Sequence, residues 1–480
     1  MLDLLKRYKT IVFLIIIALV SFIWGLRLDC EWGCDFGCYY VGAKLLASDY
    51  HLYLDHLDHK GPLIYLLLKI VGTFIGWGAF QAILSLSLFV FGFLTTVFFF
   101  GMKVFKSFIS SVYLVVVAYL MIIWLNTNSS ITLLQMTFII WMLAFLIPVE
   151  RDDRQLYSSL FLAGMFWTAS VLVRIDAAIY IVLFPISVML ANKRSVARLF
   201  ISLLVPVFTL AVFSVVLSVA MSYPLYDFII WAWEFNFKYG NVQFDGKRMF
   251  LRPYALPLLI QTVAVLVLSC VILKPGYGRK KINLNANYFF VAATVVSCLA
   301  YFIARTDNYY YVFMLFPAVL SLSVVIVDNA ERRKGMALLL VLLSLFAFYG
   351  SSLYVREFFG SIKQNTAFSM KDVRDMEVVE MLKSDPAILV CYTRPWYYLF
   401  SDSYPLVYIE PHLLLNQVFN VFPEKTAYAR EKFSVTAFKS RTKFIIDKWT
   451  KENPTELTLQ MLLFSDSVRL IGDLELRQMR

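Results

Sequence analysis

The chain has 480 residues, of which 60% are hydrophobic, 17% aromatic and only 16% charged, and its mean hydropathy is +0.70. A soluble domain could not cover that much apolar surface, so the composition excludes an ordinary water-soluble protein. The net charge of +11 does not point to nucleic acid: the basic residues recur at alternate ends of apolar segments, and there is no Lys/Arg-rich helix or RNA-binding pattern.

The first apolar segment, 10–26, follows MLDLLKRYK. It has the outline of a signal peptide, but no small-residue cleavage site follows, so it is read as a retained first span. Runs of about 20 apolar residues form helices about 30 Å long, the hydrocarbon thickness of a bilayer. Such runs recur at 79–102, 108–125, 131–148, 157–173, 175–191, 199–221, 254–273, 287–304, 310–327 and 336–355. The expectation is a polytopic bundle of about eleven spans.

The connectors alternate in character. One set carries Lys6, Arg7 and Lys9, then Lys103 and Lys106, Arg151 and Arg154, Lys193 to Arg198, Lys274 to Lys281, and Arg332 to Lys334. The other contains NTNSS at 126–130, a very short turn at Arg174, and RTDNYYY at 305–311. The positive-inside rule makes the first set cytoplasmic, together with the N-terminus. The first loop (27–62), a second long loop (222–252) and everything after Val355 then lie outside. The expected architecture is mainly α: a transmembrane domain over 1–355, followed by an extracytoplasmic α/β domain over 356–480. A plasma (inner) membrane is the expected location.

The first loop reads RLDCEWGCDFGCYYVGAKLLASDYHLYLDHLDHKGP. It holds Asp29, Glu31, Asp35, Asp49, Asp55 and Asp58, three of the four histidines, and Lys60. A chain with so few charges concentrates them here, which makes this loop the first place to look for chemistry. FGCYYVGAKLLAS has helical apolar spacing and reads as an amphipathic helix. GPLIYLLLKIVGTFIGWG reads as a short re-entrant or interfacial helix. Cys30, Cys34 and Cys38 fit no common zinc spacing; one disulfide or plain packing is the simpler reading.

Asp35 stands at the start of the first of these helices. It either caps the helix, where a carboxylate gains about 0.3–1 kcal/mol, or acts as a general base on an incoming hydroxyl. In DHLDHKGP, Asp58 and His59 are candidates for substrate or metal contact, although a bare histidine pair specifies no metal. No cofactor is specified, and a divalent metal stays an alternative. Lys60, near headgroup depth, suits a phosphate, while snorkelling would place it similarly. Arg174 either pairs with Asp176 or meets an anionic ligand. Arg305, followed by Tyr309, Tyr310 and Tyr311, is the stronger candidate for an anionic headgroup.

In the second long loop, YDFIIWAWEFNFKYGNVQFDGKRMFLRP interleaves Trp231 and Trp233 with charge, as an interfacial aromatic belt does. Beyond Val355, MKDVRDMEVVEMLK and RPWYYLFSD read as helices. AILVCYT, PLVYIEP and KFIID read as strands, and SVRLIGDLELRQM as a terminal hairpin. This region carries no glycine-rich phosphate loop, H-E-x-x-H or G-x-S-x-G, so a lid or acceptor platform is expected of it.

These residues resemble a family. A first span, a D-x-G-x-Y helix (Asp35 to Tyr39), then DHKGPLIY (Asp58 to Tyr65) resemble the GT-C superfamily. The likeness is to the branch that includes protein O-mannosyltransferases and the lipid A aminoarabinose transferase. R-x3-YYY-x5-P (Arg305 to Pro317) and ILVCYTRPWYYLFSDSYPLVY resemble further segments of those enzymes. The resemblance implies a glycosyltransferase acting outside the membrane, taking a sugar from a polyprenyl-phosphate donor to a cell-envelope acceptor: polysaccharide, glycolipid or protein. It implies Asp35 as the catalytic base, and Lys60, Arg305, Tyr309 and Tyr310 as contacts of the donor lipid phosphate. Many relatives carry a second acid where the third span meets the fourth; here NTNSSITLLQ has none. A transporter or flippase of lipid-linked envelope precursors is the alternative. It would call for ionisable or helix-breaking residues near midspan, whereas the charges here lie at span ends.

Overall fold

The computed structural model describes residues 2–26, 35–48, 50–53, 56–57, 60–124, 130–148, 152–191, 195–235, 284–303, 373–384, 389–391, 408–409, 443–447, 451–452, 456–471 and 474–480. The expected spans at 254–273, 310–327 and 336–355, and the helix expected in RPWYYLFSD, lie outside these residues.

In chain order the helices are α1 (Leu2–Gly25), α2 (Asp35–Leu46), α3 (Pro62–Ile75), α4 (Ala79–Phe105), α5 (Phe108–Trp124), α6 (Ser130–Leu146) and α7 (Asp153–Val173). A 3-10 segment (Ile175–Val182) runs into α8 (Leu183–Leu190), followed by α9 (Val196–Ala220). The single turn α10 (Leu225–Phe228) leads into a π-helical segment (Ile229–Phe235), and then come α11 (Leu284–Ile303), α12 (Val373–Ser384) and α13 (Glu456–Leu463). The strands are β1 (His56–Leu57), β2 (Leu389–Cys391), β3 (Tyr408–Ile409), β4 (Lys443–Asp447), β5 (Ser465–Ile471) and β6 (Leu474–Met479).

Among the described residues, four helical stretches are long and apolar enough to cross a membrane: Tyr8–Gly25, Phe80–Phe105, Asp153–Val173 and Val196–Ala220. Their apolar residues are not all enclosed. Only 22% of the apolar windows in α1 and α9 is buried, against 67% in α4. Ile15 and Leu19 of α1, and Phe208 and Val219 of α9, are more than half exposed. Water would not tolerate such surfaces, whereas lipid tails match them.

The chain divides into two compact units, Met1–Ser21 with Leu88–Val216 and Gln243–Phe359, and Phe22–Ser87 with Leu217–Val242 and Gly360–Arg480. The second unit thus collects the first loop, the start of the second long loop and the chain after Phe359.

Within the first unit, polar side chains bond between helices, as the lack of competing water favours in lipid. Trp141 Nε1 donates to Thr96 Oγ1 at 3.0 Å, and the Thr168 and Thr209 hydroxyls meet at 2.9 Å. At Gly101, an added Cβ would lie 2.9 Å from the Ser111 Cα, so only glycine permits that approach of α4 and α5. Asp152 caps α7, its Oδ1 accepting from the Gln155 N–H at 2.7 Å. The expected span at 175–191 is helical throughout, but it starts in the tighter 3-10 form. Pro185 has no N–H for the Ile181 carbonyl and its ring crowds that carbonyl, which disfavours α-bonding at the end of the 3-10 segment. Tyr180, in the tight segment, donates to Ser297 Oγ of α11 at 3.0 Å.

In the second unit, β4 pairs in parallel with β2 and antiparallel with β6, and β6 pairs with β5, giving the order β2-β4-β6-β5. Phe444, Ile445 and Ile446 are all at most 1% exposed, which is why KFIID is a continuous apolar run and not an alternating one. β3 joins another partner. It pairs in parallel with β1 of the first loop, His56 opposite Tyr408 and Leu57 opposite Ile409.

Candidate functional site

Asp35 is the first residue of α2, the helix start that the sequence indicates. The helix differs from the expected amphipathic one. Every residue from Phe36 to Leu46 is buried, and even Lys44 is only 2% exposed. Aromatic side chains from α3 and the turn after it pack on this helix. The Tyr39 ring meets Tyr65 of α3 edge-on at 6.0 Å, and Tyr40 packs on Phe36 at 5.8 Å and Trp77 at 5.2 Å. The Tyr40 hydroxyl donates to the Gly76 carbonyl at 2.9 Å. Burial pushes the Tyr40 hydroxyl up to about 12, against smaller opposing effects of Ser85 and Gly78, so it stays a donor at neutral pH. Lys69 of α3 donates to the Leu46 carbonyl at 2.7 Å and so satisfies the C-terminal end of α2.

The stretch from Tyr53 to Pro62 presents Lys60. Pro62 opens α3 at the position where its missing N–H costs nothing. β1 is held by β3, and the Tyr53 hydroxyl donates to the Lys60 carbonyl at 2.6 Å. Lys60 itself is half-buried. Tyr53 adopts φ +65°, the left-handed region that a tyrosine rarely enters. Its ring meets Tyr223 edge-on at 5.3 Å and Phe228 at 6.2 Å. Trp231, expected in an interfacial belt, is instead 2% exposed within the π-helical segment.

The first unit holds a separate charged cluster. Arg174 is the single residue between α7 and the 3-10 segment, in extended backbone. Its Nη2 lies 2.8 Å from Asp176 Oδ2, and the two side chains are 13% and 16% exposed. Gln135 of α6 donates from Nε2 to Asp176 Oδ1 and, at 3.2 Å, to the Arg174 carbonyl. Arg174 Nη1 also reaches Thr132 Oγ1 at 3.3 Å. Of the two readings of Arg174, ion pairing with Asp176 is the one present. Although NTNSSITLLQ carries no acid, its Gln135 is bonded to one.

Asp58, His59, Arg305, Tyr309 and Tyr310 lie outside the described residues, as do Cys30 and Cys34; Cys38 is buried in α2. Among the described residues, no group of three or more His, Cys, Asp or Glu side chains could hold a metal. Tyr53, Tyr223 and Gln135 were not singled out by the sequence. The one local signal for Tyr53 was an aromatic residue inside an acid- and histidine-rich loop, seven positions before Lys60.

No family model matches the sequence, and no curated protein matches it. Solved structures do match. ArnT from Cupriavidus metallidurans, bound to undecaprenyl phosphate, aligns over 98% of this chain and 98% of its own, with a TM-score of 0.58 at 12% identity. The archaeal oligosaccharyltransferase AglB from Archaeoglobus fulgidus, in complex with an inhibitory peptide and a dolichol-phosphate, aligns over 93% of this chain and 70% of its own. There the TM-score is 0.51 at 13% identity. The likeness is one of fold, and it runs nearly the whole length of the chain: this protein shares the fold of these two structures.

Proposed function

We propose that the protein is an integral-membrane glycosyltransferase. It moves a sugar from a polyprenyl-phosphate donor to a cell-envelope acceptor, at the extracytoplasmic side of the plasma membrane. The observation that carries this reading is the match over 98% of both chains to ArnT, a structure solved bound to undecaprenyl phosphate. AglB, solved with dolichol-phosphate, supports the same class of lipid carrier.

The chemistry follows from the donor. An acceptor oxygen attacks the anomeric carbon while the bond from that carbon to the phosphate oxygen breaks. Polyprenyl phosphate leaves with the electron pair, so negative charge grows on the phosphate and must meet fixed cations. Lys60, its carbonyl held by the Tyr53 hydroxyl, is the proposed cation; Arg305, Tyr309 and Tyr310 take the same role by resemblance. Asp35 accepts the acceptor's proton from the opposite side of the ring, which gives inversion. A carboxyl with an ordinary pKa near ~3.9 is a weak base, and partial desolvation by the lipid-borne substrate would strengthen it. Asp58 and His59 are left as contacts of substrate or metal. Residues 356–480 are read as an outer α/β domain that orients the acceptor.

The test is incubation of purified protein with a panel of polyprenyl-phosphate sugars and envelope acceptors. Release of polyprenyl phosphate and a product of inverted anomeric configuration are expected. Failure to release it from any donor, with folded protein and mixed acceptors, would count against the reading.

A further inference from the structure

Tyr223 has a hydroxyl without an explanation in the fold. After α9, Ser222 turns the chain through φ +53°, and Pro224 then starts α10. Between them the Tyr223 backbone is fixed at both ends: its N–H donates to the Ser218 carbonyl at 3.1 Å, and its carbonyl accepts from Ser218 Oγ at 2.6 Å. The residue is 3% exposed, and among the described residues its hydroxyl oxygen has no hydrogen-bond partner.

An enclosed hydroxyl left unsatisfied costs about 1–3 kcal/mol. Phenylalanine would make the same ring contacts with Tyr53 and Phe228 without that cost, and the chain uses phenylalanine freely, 43 times. Backbone strain adds to the anomaly. Among the described residues, three non-glycine residues have left-handed φ; one is Tyr53 itself and another is Ser222, next to Tyr223. Such outliers persist where the surroundings enforce them, often beside a ligand. The neighbour is informative too. Tyr53, whose ring touches Tyr223, holds the Lys60 carbonyl with its own hydroxyl.

We propose that Tyr223 is a ligand-binding residue whose hydroxyl donates a hydrogen bond to a phosphate oxygen of the lipid-linked donor that Lys60 neutralises. This rests on the donor class proposed above and adds a contact that no motif indicates. Burial pushes the Tyr223 hydroxyl well above its ordinary value, so it carries its proton at neutral pH and can only donate to an anion. Enclosed by rings, that hydrogen bond is little weakened by water.

The test is binding of undecaprenyl phosphate, undecaprenol and inorganic phosphate to the purified full chain in lipid nanodiscs, for the wild type and Tyr223→Phe. The wild type should prefer the phosphate-bearing lipid to the alcohol. Tyr223→Phe should bind that lipid about tenfold or more weakly. Its binding of the alcohol should not change, and its thermal midpoint should equal or exceed that of the wild type, because an unsatisfied hydroxyl has been removed. If the wild type prefers the phosphate lipid and Tyr223→Phe binds it equally well, only the assignment of Tyr223 is overturned. Equal losses for both lipids with a lower midpoint would make Tyr223 a packing residue and overturn it as well. If the wild type shows no preference for the phosphate lipid, the lipid-phosphate reading itself falls and this one with it. Wild-type binding of inorganic phosphate as tight as that of the lipid would assign the site to free phosphate.

Discussion

Arg174 carries a full charge at the end of an apolar helix, where an unpaired guanidinium is costly. Asp176 offsets that cost and is itself held by Gln135. Asp176→Ala would leave Arg174 without its counter-ion, and a loss of about 2–3 kcal/mol is expected. The check is thermal unfolding in detergent, with the double replacement Arg174→Met and Asp176→Leu recovering most of the loss. If the double variant were as unstable as the single one, the ion pair would not be the cause. Lys60→Ala should mainly raise the donor concentration needed for half-maximal turnover, and an unchanged donor dependence would exclude Lys60 from the phosphate. The helix starts at Asp35 and just after Lys60 were legible in the sequence because each lies in a short motif with a local start signal. Tyr53 and Tyr223 were not. Their placement depends on left-handed backbone at Tyr53 and Ser222 and on a contact between segments far apart in the chain, and neither leaves a periodic trace.

Elements were legible where their periodicity is local. α4, α5, α6 and α7 occupy the stretches read as spans, and KFIID is β4 residue for residue. α2 was misjudged as amphipathic because the sequence does not reveal that its polar residues, Lys44 included, are enclosed in the fold. The pairing of β1 with β3 was not legible either: two residues on each side are too few to give alternation, and the partners are distant in sequence. The terminal hairpin carries its own pH dependence. Burial alone would raise the Glu475 carboxyl, but hydrogen bonds from Lys451 and Ser467 and the charge of Arg477 outweigh it and hold the group below its ordinary 4.5. A carboxyl depressed in the folded state stabilises it above the unfolded pKa, and that stability is lost as pH falls through the folded value. Hydrogen exchange of the β5–β6 amides should therefore quicken below about pH 4.5, and Glu475→Gln should flatten the dependence. A pH-independent wild type would contradict this.

At the scale of the whole molecule, the longer segments that the positive-inside rule places outside fall largely in one compact unit, whereas the short outer connectors at 126–130, Arg174 and 305–311 fall in the other. The former unit holds the first loop, residues 217–242 and the chain after Phe359. The unit boundaries at Ser21, Ser87 and Val216 all lie near the ends of α1, α4 and α9 that the rule assigns to the outer face. The positive-inside rule predicts an outer C-terminal region, and a C-terminal reporter that is active only outside the cytoplasm should be active; activity only of a cytoplasmic reporter would reverse the topology. The span pattern was legible because bilayer thickness sets it residue by residue. How the outer segments gather was not, since it depends on contacts between distant loops.

The account turns on Asp35 taking the proton of an acceptor while a lipid phosphate departs. The most direct measurement is the rate of polyprenyl phosphate release by Asp35→Asn, compared with the wild type on the same donor and acceptor. The variant should insert and unfold as the wild type does, yet lose turnover by about a hundredfold or more, the loss of a general base. Turnover at the wild-type rate would contradict the account.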